Sequence, residues 1–295
     1  MPKVDLHLHS IYSDDGQYTP HELVELCIEA GVDTFAIADH NNVRALPEAV
    51  KAAKQFSLNL IPAVELDCHY QGRGLHVLAY GIDYLNPAYQ QIDENIVRQE
   101  KAAKEKRLSL IENLGIVLNR TKIDELATHG VVTGEIMAEV ALNDPVNDNN
   151  PLLKPYRKKE ARSDNPYVNF YWDFVSQGKP GYVEIEIQSL NEAVKLIKET
   201  GGIAILAHPG NNLKDHLHLL DGIIENGIQG LEVFSSYHTL KQSEYFLDYC
   251  FKRDLLITCG SDFHGKTKPT IKIGSVYNEI VNSSFISAYN KLKKE

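Results

Sequence analysis

The sequence of 295 residues has few cysteines, and their spacing matches no structural zinc site. The four cysteines, Cys27, Cys68, Cys250 and Cys259, lie far apart in apolar segments, which favours buried reduced thiols over a disulfide or a zinc site. No apolar run reaches the roughly 18 residues that a membrane-spanning helix needs. The N-terminus also lacks the apolar core of a secretory signal, so we expect a cytoplasmic protein without membrane contact.

Basic residues are too few for a protein that binds long nucleic acids. Lysine and arginine total 30 against 40 aspartate and glutamate, which gives a net charge of −10. Such a surface repels the phosphate backbone of a duplex, although a local site for a small phosphorylated substrate stays compatible with it. The remaining composition, 43% apolar and 24% charged, is that of an ordinary globular protein. It does not reveal the oligomeric state.

A repeated unit of amphipathic helix, glycine, apolar strand and polar residues organises most of the chain. Thr19 and Glu22 form a predicted capping box before a helix that ends at Gly31, and Ser189 and Glu192 form another. Alternating strands and helices predict a parallel sheet, either open or closed into a barrel. The predicted strands are 3–8, 34–38, 58–64, 75–80, 203–207, 230–234 and 255–259.

Chemically active side chains accompany nearly every predicted strand. Barrel enzymes place their sites at the carboxyl ends of all strands, whereas an open doubly wound sheet concentrates its polar residues at one switch point. We therefore predict an α/β barrel formed by residues 1–85 and 179–295. Residues 86–178 break the alternation and predict an inserted, mostly helical subdomain that lies over the barrel mouth.

Four aromatic residues of this predicted insert have two interpretations. Tyr156, Tyr167, Tyr171 and Trp172 lie in a segment rich in tyrosine and asparagine. They could stack on a base, but packing in the core of the insert is the favoured interpretation.

Histidines and carboxylates cluster at the ends of the predicted strands. Residues two apart on a strand face the same side, so His7 and His9 can bind one ion. Imidazole and carboxylate without thiolate favour zinc, manganese or iron. Nine candidate ligands exceed the needs of one ion and predict two or three divalent ions: His7, His9, Asp14, His40, Glu65, His76, His208, Asp262 and His264.

These residues resemble the motifs of the PHP (polymerase and histidinol phosphatase) family. The matching motifs are His7-Leu8-His9-Ser10, Ser13-Asp14, Asp39-His40, Glu65, His76, His208-Pro209 and Ser261-Asp262-Phe263-His264. The resemblance covers residues 1–85 and 179–276 and implies a distorted (β/α)7 barrel with up to three metal ions and phosphoesterase activity. It implies one ion on His7, His9, Glu65 and Asp262, a second on Glu65, His76 and His208, and a third on Asp14, His40 and His264. Asp39 is then expected to orient a neighbouring ligand.

Within the family, the layout is similar to stand-alone bacterial phosphatases that remove the 3′-phosphate from 3′,5′-bisphosphonucleosides, some of which also trim short RNA. Where those proteins commonly begin an insert helix with Gly-Arg-Pro-His, this chain has Thr133-Gly134-Glu135-Ile136-Met137. Arginine binds phosphate with two parallel hydrogen bonds, and a glutamate cannot replace it. Specificity for a second phosphate therefore does not follow from the sequence.

The expected function is hydrolysis of a small phosphomonoester, such as a 3′,5′-bisphosphonucleoside, by a metal-activated hydroxide. Asp262 is expected to accept the proton and His238 to protonate the leaving group. Arg44, Lys179, His238 and Lys266 are the candidate substrate-binding residues. The alternatives are a phosphatase of a sugar or amino-acid phosphate, an exonuclease of short oligonucleotides, and a metal-binding regulatory module without activity.

Overall fold

The strands lie in two sheets in the computed structural model, which describes residues 3–127 and 129–293. They are β1 (Lys3–Leu8), β2 (Val32–Ile37), β3 (Asn59–Leu60), β4 (Ala63–Tyr70), β5 (Arg73–Tyr80), β6 (Gln188–Ser189), β7 (Ile203–Leu206), β8 (Gly230–Ser235) and β9 (Leu256–Gly260). One sheet has the order β1-β2-β3, and the other has the order β6-β4-β5-β7-β8-β9.

Backbone contacts connect the two sheets at the carboxyl ends of β1 and β2. Leu8 forms a parallel bridge to Phe263, which joins β1 to the segment after β9. His40 forms a second parallel bridge to Glu65, which joins the segment after β2 to β4. The α/β fold is confirmed, and this strand arrangement is consistent with the predicted distorted barrel.

The prediction of a parallel sheet is wrong for β5, which runs antiparallel to both β4 and β7. Gln71 and Gly72 connect β4 to β5 with positive φ angles of 47° and 78°, the backbone of a two-residue hairpin turn. A hairpin reverses the chain without a crossover helix. The early part of β5, with His76, therefore lies at the same edge as the carboxyl ends of the parallel strands.

The predicted strand over 58–64 is divided in the structure. Strand β3 ends at Leu60 and β4 begins at Ala63, with Pro62 between them. Proline has no N–H to donate to a neighbouring strand, which explains the break. Glu65 consequently lies inside β4 rather than after a strand.

Eleven α-helices surround the strands in the described ranges. They are α1 (Pro20–Glu29), α2 (Leu46–Phe56), α3 (Pro87–Glu112), α4 (Arg120–Leu126), α5 (Gly134–Asn143), α6 (Pro166–Phe170), α7 (Leu190–Glu199), α8 (Pro209–Leu213), α9 (Leu220–Glu225), α10 (Leu240–Arg253) and α11 (Ser287–Leu292). Both predicted capping boxes are present, at α1 and α7. Among the described residues, no helix combines the length and the apolar character that crossing a membrane requires.

Buried apolar side chains form three clusters. The largest packs strands β4, β5, β7 and β8 against α7 and α10. A second packs β1 and β2 against α1 and α2. The third lies entirely between Leu108 and Val175, inside the segment predicted as a helical insert. The division into a barrel and an insert stays a prediction. All four cysteines are buried and free, as predicted.

Candidate metal centre

One carboxylate lies at the centre of the histidine cluster. Glu65, on β4, is fully buried. Its Oε2 lies 3.1 Å from His7 Nε2, 3.3 Å from His9 Nε2 and 3.2 Å from His40 Nδ1. Its Oε1 lies 2.9 Å from a ring nitrogen of His76 and 3.1 Å from one of His208. Five rings from four different strand regions thus converge on one side chain.

Five overlapping groups of ligand atoms lie around Glu65 among the described residues, and three of them correspond to the sets expected from the sequence. One contains His7, His9, Glu65 and Asp262, and another contains Glu65, His76 and His208; both match the sets that the family resemblance implies. The third contains His9, Asp15, His40 and His264. In the first group, Asp262 Oδ1 lies 3.1 Å from His9 Nε2 and 3.5 Å from His7 Nε2.

The third group contains Asp15 where the sequence analysis places Asp14. Asp15 Oδ2 lies 3.2 Å from His264 Nε2. Asp14 has a positive φ of 65° and its Oδ1 accepts a hydrogen bond of 3.0 Å from His129 Nδ1 instead. The left-handed backbone at Asp14 turns the chain, so the following carboxylate is the one that faces the histidines. The geometry therefore supports Asp15 as the ligand.

The chemistry of these atoms fits divalent metal ions. Buried polar atoms in folded proteins almost always have a partner. Several atoms at the centre of the groups are buried without a hydrogen-bond partner among the described residues: His7 Nε2, His9 Nε2, His40 Nδ1, His264 Nε2 and Glu65 Oε2. Imidazole nitrogens and carboxylate oxygens at this spacing are the ligands of zinc, manganese and iron.

Glu232, in the middle of β8, positions two of the histidines. It is fully buried; its Oε1 lies 2.9 Å from His7 Nδ1, and its Oε2 accepts a hydrogen bond of 2.8 Å from the backbone N–H of His208. A carboxylate that accepts from Nδ1 leaves Nε2 of the same ring free to bind an ion. The sequence analysis missed Glu232, because a lone glutamate within an apolar strand has no distinguishing motif.

Asp39 positions His9 through serines. It accepts hydrogen bonds from Ser10 Oγ (2.6 Å) and Ser13 Oγ (2.9 Å), and Ser13 Oγ lies 2.8 Å from His9 Nδ1. This is the orienting role that the family resemblance implies for Asp39, reached through one intervening hydroxyl.

The electrostatics of the cluster keep its carboxylate ionised and one of its rings neutral. Burial alone would raise the pKa of Glu65, but the charges of His7, His76 and His40 outweigh it and hold that pKa well below its usual range. Burial lowers the pKa of His264 to about 4. Burial also lowers the pKa of His7 and His76, but neighbouring carboxylates outweigh it and raise the pKa of His7 well above its usual range and that of His76 to about 9. Glu65 and His264 are therefore in the forms that bind a metal ion, whereas His7 and His76 release a proton when an ion binds.

Comparison with known proteins identifies the family. The PHP domain matches residues 5–163, which is more than half of the chain.

The chain belongs to the PHP family.

Two curated relatives are similar over most of their length. A 5′-3′ exoribonuclease of Haemophilus influenzae is 28% identical over 269 residues, covering 89% of this chain and 90% of the relative. A 3′,5′-nucleoside bisphosphate phosphatase of Chromobacterium violaceum is 28% identical over 272 residues, covering 90% and 88%. A crystal structure from Bifidobacterium adolescentis, assigned as a metal-dependent phosphoesterase, has 26% identity and a TM-score of 0.74, covering 96% and 94%. The predicted family is confirmed.

A cavity of about 650 Å³ opens above the PHP metal centre. Its floor contains His40, Glu65, His76, His208 and Asp262. Its walls come largely from the predicted insert and the segment after it, and they include apolar and acidic side chains: Val131, Glu135, Val168, Tyr171, Trp172, Val183, Glu184 and Glu186. This cavity is the place where a substrate can reach the ligand groups.

The four insert aromatics divide between the two interpretations. Tyr156 is buried in the insert cluster and its hydroxyl donates to Asp173 Oδ2 at 2.7 Å, while Tyr167 packs against the same cluster. Tyr171 and Trp172 line the cavity. Packing therefore describes Tyr156 and Tyr167, Tyr171 both packs against the insert cluster and lines the cavity, and Trp172 forms part of the cavity wall.

Three basic residues that were predicted to bind the substrate lie outside the lining of the cavity. Arg44 Nε pairs with Asp93 Oδ2 at 3.1 Å, and Lys266 Nζ pairs with Glu139 Oε2 at 2.7 Å. Lys179 is exposed. None of the three is among the described residues that line the cavity. Their positions after a motif or a strand end did not reveal these partners.

His238 also lies outside the cavity lining, which removes the basis for its predicted role as a proton donor. Its Nδ1 donates to Val233 O at 2.9 Å, and its Nε2 accepts from the backbone N–H of Gly210 at 3.0 Å. The ring also packs against Phe246, with 5.0 Å between centroids. Because both nitrogens are engaged in backbone hydrogen bonds, His238 connects α8 to the end of β8.

Two charged residues of the cavity floor were missed. Asp67 lies two residues after Glu65 on β4, hence on the same face of the strand. Its Oδ1 lies 3.3 Å from His76 Nε2, and Asn41 Nδ2 donates to its Oδ2 at 2.8 Å. Lys268 is buried and its Nζ donates to Asp262 Oδ2 at 2.6 Å. Because residues two apart on a strand share a face, Asp67 could have been predicted to lie beside Glu65. Lys268 could not, because it follows a loop whose path no motif predicts.

Glu135, at the start of α5, is buried in the cavity wall. Burial raises its pKa to about 7, and the negative charge of Asp15 acts in the same direction. The ion pairs between described residues include none to Glu135. The Glu135 side chain itself therefore offers a second phosphate no positive charge, although the charge of Lys268 acts on it in the opposite direction to Asp15.

Proposed function

We propose that this protein is a metal-dependent hydrolase of phosphoric ester bonds that removes phosphate from a small phosphomonoester. The observation that carries the proposal is the presence of overlapping ligand groups, two of which share Glu65, beneath a cavity of substrate size. A nucleotide such as a 3′,5′-bisphosphonucleoside is the first candidate substrate, because a similar protein from Chromobacterium violaceum is a 3′,5′-nucleoside bisphosphate phosphatase.

Two or three divalent ions, manganese, iron or zinc, fit the ligand groups. When bound, such ions neutralise phosphate charge and supply a nucleophile at neutral pH. The residues that would hold them are His7, His9, His40, His76, His208 and His264 through ring nitrogens, and Asp15, Glu65 and Asp262 through carboxylate oxygens.

Asp262 contributes through both of its oxygens. Its Oδ1 faces His7 and His9, and its Oδ2 accepts the hydrogen bond from Lys268. With both oxygens engaged, we assign Asp262 as a ligand and withdraw its predicted role as the proton acceptor. No serine or cysteine nucleophile is required by a metal-dependent hydrolysis.

The residues of segment 86–178, which we propose forms an insert subdomain, contribute much of the wall that selects the leaving group. Tyr171 and Trp172 offer aromatic surface in the cavity, and aromatic surface favours a base by stacking. The acidic wall residues Glu135, Glu184 and Glu186 disfavour a long phosphate backbone.

A second candidate is the trimming of short RNA. It is supported by the aromatic wall and by a similar protein from Haemophilus influenzae, which is a 5′-3′ exoribonuclease. A cavity of about 650 Å³ lies within the range of about 300–1,000 Å³ that is usual for small-molecule sites, which suits a terminal nucleotide. The net charge of −10 repels a long phosphate backbone, so this candidate is limited to short RNA.

The deciding experiment measures phosphate release by the manganese-loaded protein from a panel of substrates. The panel contains adenosine 3′,5′-bisphosphate, 5′-AMP, a sugar phosphate, an amino-acid phosphate and a short 5′-phosphorylated RNA whose mononucleotide products are separated. Glu65→Gln provides the matched variant with an impaired metal centre. We expect turnover of at least one compound, strongly reduced in Glu65→Gln.

The outcomes separate the candidates. Rapid formation of 5′-AMP from the bisphosphate supports a nucleotide phosphatase despite Glu135, and stepwise loss of mononucleotides supports the exonuclease. Exclusive turnover of the sugar or amino-acid phosphate would keep the metal chemistry and overturn the nucleotide assignment. No turnover of any compound by protein that contains metal contradicts the proposal and favours a binding module.

A further inference from the structure

Lys268 is a buried cation at the floor of the cavity. It follows the 3₁₀ turn Gly265–Thr267, and its backbone N–H donates to Gly265 O at 3.1 Å. The residue is only 5% exposed, yet it lines the cavity above the metal centre. Lysine is almost never buried unless its charge is paired, so this position requires an explanation.

A single carboxylate separates the ammonium from the ligand atoms. Lys268 Nζ donates to Asp262 Oδ2 at 2.6 Å, and Asp262 Oδ1 lies 3.1 Å from His9 Nε2. The ammonium also lies 5.2 Å from the centre of the Tyr237 ring, another cavity residue. The positive charge is therefore held one carboxylate away from the ligand atoms, at the lining of the cavity.

The ammonium has more donors than the protein uses. Lysine carries three N–H donors, and among the described residues Asp262 accepts the one hydrogen bond that Nζ donates. A cation that served only to neutralise Asp262 would need no access to the cavity. The two remaining donors are available to a ligand that enters it.

The other cation of the cavity lining is paired with a carboxylate of its own helix. Among the described residues that line the cavity, Arg107 and Lys268 are the arginine and the lysine. Arg107 hydrogen-bonds Glu100 through both terminal nitrogens and also donates to Val132 O at 3.1 Å. These bonds connect α3 to the loop before α5, and none of them involves a carboxylate of the three ligand groups.

We propose that Lys268 binds an oxygen of the substrate's phosphate group beside the metal centre. This inference rests on the proposed phosphoesterase function and names a substrate-binding residue for it. Lysine is suited to the role because its ammonium is a compact charge that binds phosphate without a fixed bidentate geometry. The lysine predicted from sequence, Lys266, is instead paired with Glu139 at the surface.

The test measures binding of inorganic phosphate to the manganese-loaded protein by calorimetry. Lys268→Met removes the charge and keeps the side-chain length, Lys268→Arg keeps the charge, and Lys272→Met is the control because Lys272 is exposed. Loss of a charge-assisted hydrogen bond is expected to weaken phosphate binding about 10- to 100-fold in Lys268→Met. Lys268→Arg is expected to bind more tightly than Lys268→Met, and Lys272→Met is expected to match the wild type.

Metal content and KM distinguish substrate binding from an effect through Asp262. If Lys268 contacts phosphate, Lys268→Met keeps its manganese, and KM rises for any substrate that the protein hydrolyses. Unchanged phosphate affinity in Lys268→Met overturns the proposal. Loss of manganese that fully accounts for the weaker binding also overturns it, because Lys268 would then only position Asp262.

A measurement on the wild type covers the case in which Lys268→Met does not fold. Inorganic phosphate is expected to protect Lys268, but not Lys272, from acetic anhydride, as followed by mass spectrometry. Equal modification of Lys268 with and without phosphate overturns the proposal. Phosphate binding does not depend on turnover, so a protein that binds phosphate through Lys268 but hydrolyses none of the panel would contradict only the proposed function.

Discussion

Replacement of Glu232 by glutamine tests whether an outer carboxylate organises the metal centre. Glu232 accepts a hydrogen bond from His7 Nδ1 at one oxygen and from the backbone N–H of His208 at the other. Glutamine has the same shape but presents one oxygen and one NH2 group. In Glu232→Gln, either the N–H of the His7 ring or the backbone N–H of His208 must therefore face the NH2 group of the glutamine instead of an oxygen.

The surroundings give the side chain no room to avoid this conflict. A Cβ built on Gly260 would lie 2.3 Å from Glu232 Oε1, so the backbone of β9 packs directly on the carboxylate. A buried donor without an acceptor costs about 1–3 kcal/mol. Loss of an outer partner of a metal-binding histidine typically weakens metal affinity about 10- to 100-fold. We expect both effects in Glu232→Gln.

The assay combines manganese titration with thermal unfolding in the presence and absence of a chelator. Glu232→Gln is expected to lower Tm by roughly 2–4 °C for each kcal/mol lost, in the chelated and the loaded protein alike. The control is Glu225→Gln, since Glu225 is exposed at the end of α9. Wild-type manganese affinity and Tm in Glu232→Gln would refute the argument that the two hydrogen bonds position His7 and His208.

Three further substitutions test the assignment of the site. Asp15→Asn is expected to lower the metal content measured by elemental analysis, while Asp14→Asn is expected to retain it. The reverse result would show that Asp14, the residue predicted from the sequence, is the ligand. Glu65→Gln removes the carboxylate shared by two of the ligand groups. It is expected to reduce manganese affinity by more than the roughly 10- to 100-fold typical of an outer partner, and wild-type affinity would contradict its central position. His238→Ala is expected to leave kcat unchanged. It is expected to lower the free energy of unfolding, measured in denaturant, by about 1–3 kcal/mol, because the N–H of Gly210 loses its acceptor. A large loss of kcat without loss of stability would instead support His238 as a proton donor.

Features that depend on interactions between residues close in sequence could be predicted from the sequence. Thr19 with Glu22 and Ser189 with Glu192 form capping boxes because the partners are three residues apart on one turn. The alternation of a strand likewise places His7 and His9 toward the same centre, so the first ligand pair is readable from two residues.

Long-range contacts decided the residues that the sequence could not assign. Asp14 and Asp15 are neighbours of the same type, and the positive φ at Asp14 together with a bond to His129, 115 residues away, determines which one faces His264. Lys266 and Lys268 differ in the same way, one paired with Glu139 at the surface and the other with Asp262 in the cavity.

The amino-acid sequence alone was thus enough to predict the α/β fold, the family and the type of metal ligands, because these depend on periodicity and on residue type within short motifs. The tertiary structure decided which side chains meet. Glu232 lies 225 residues from His7 in sequence and 2.9 Å from it in space, while His238 turns its nitrogens to the backbone of Val233 and Gly210. Side-chain direction at such positions depends on how separate strands pack together, and that information is spread across the whole fold.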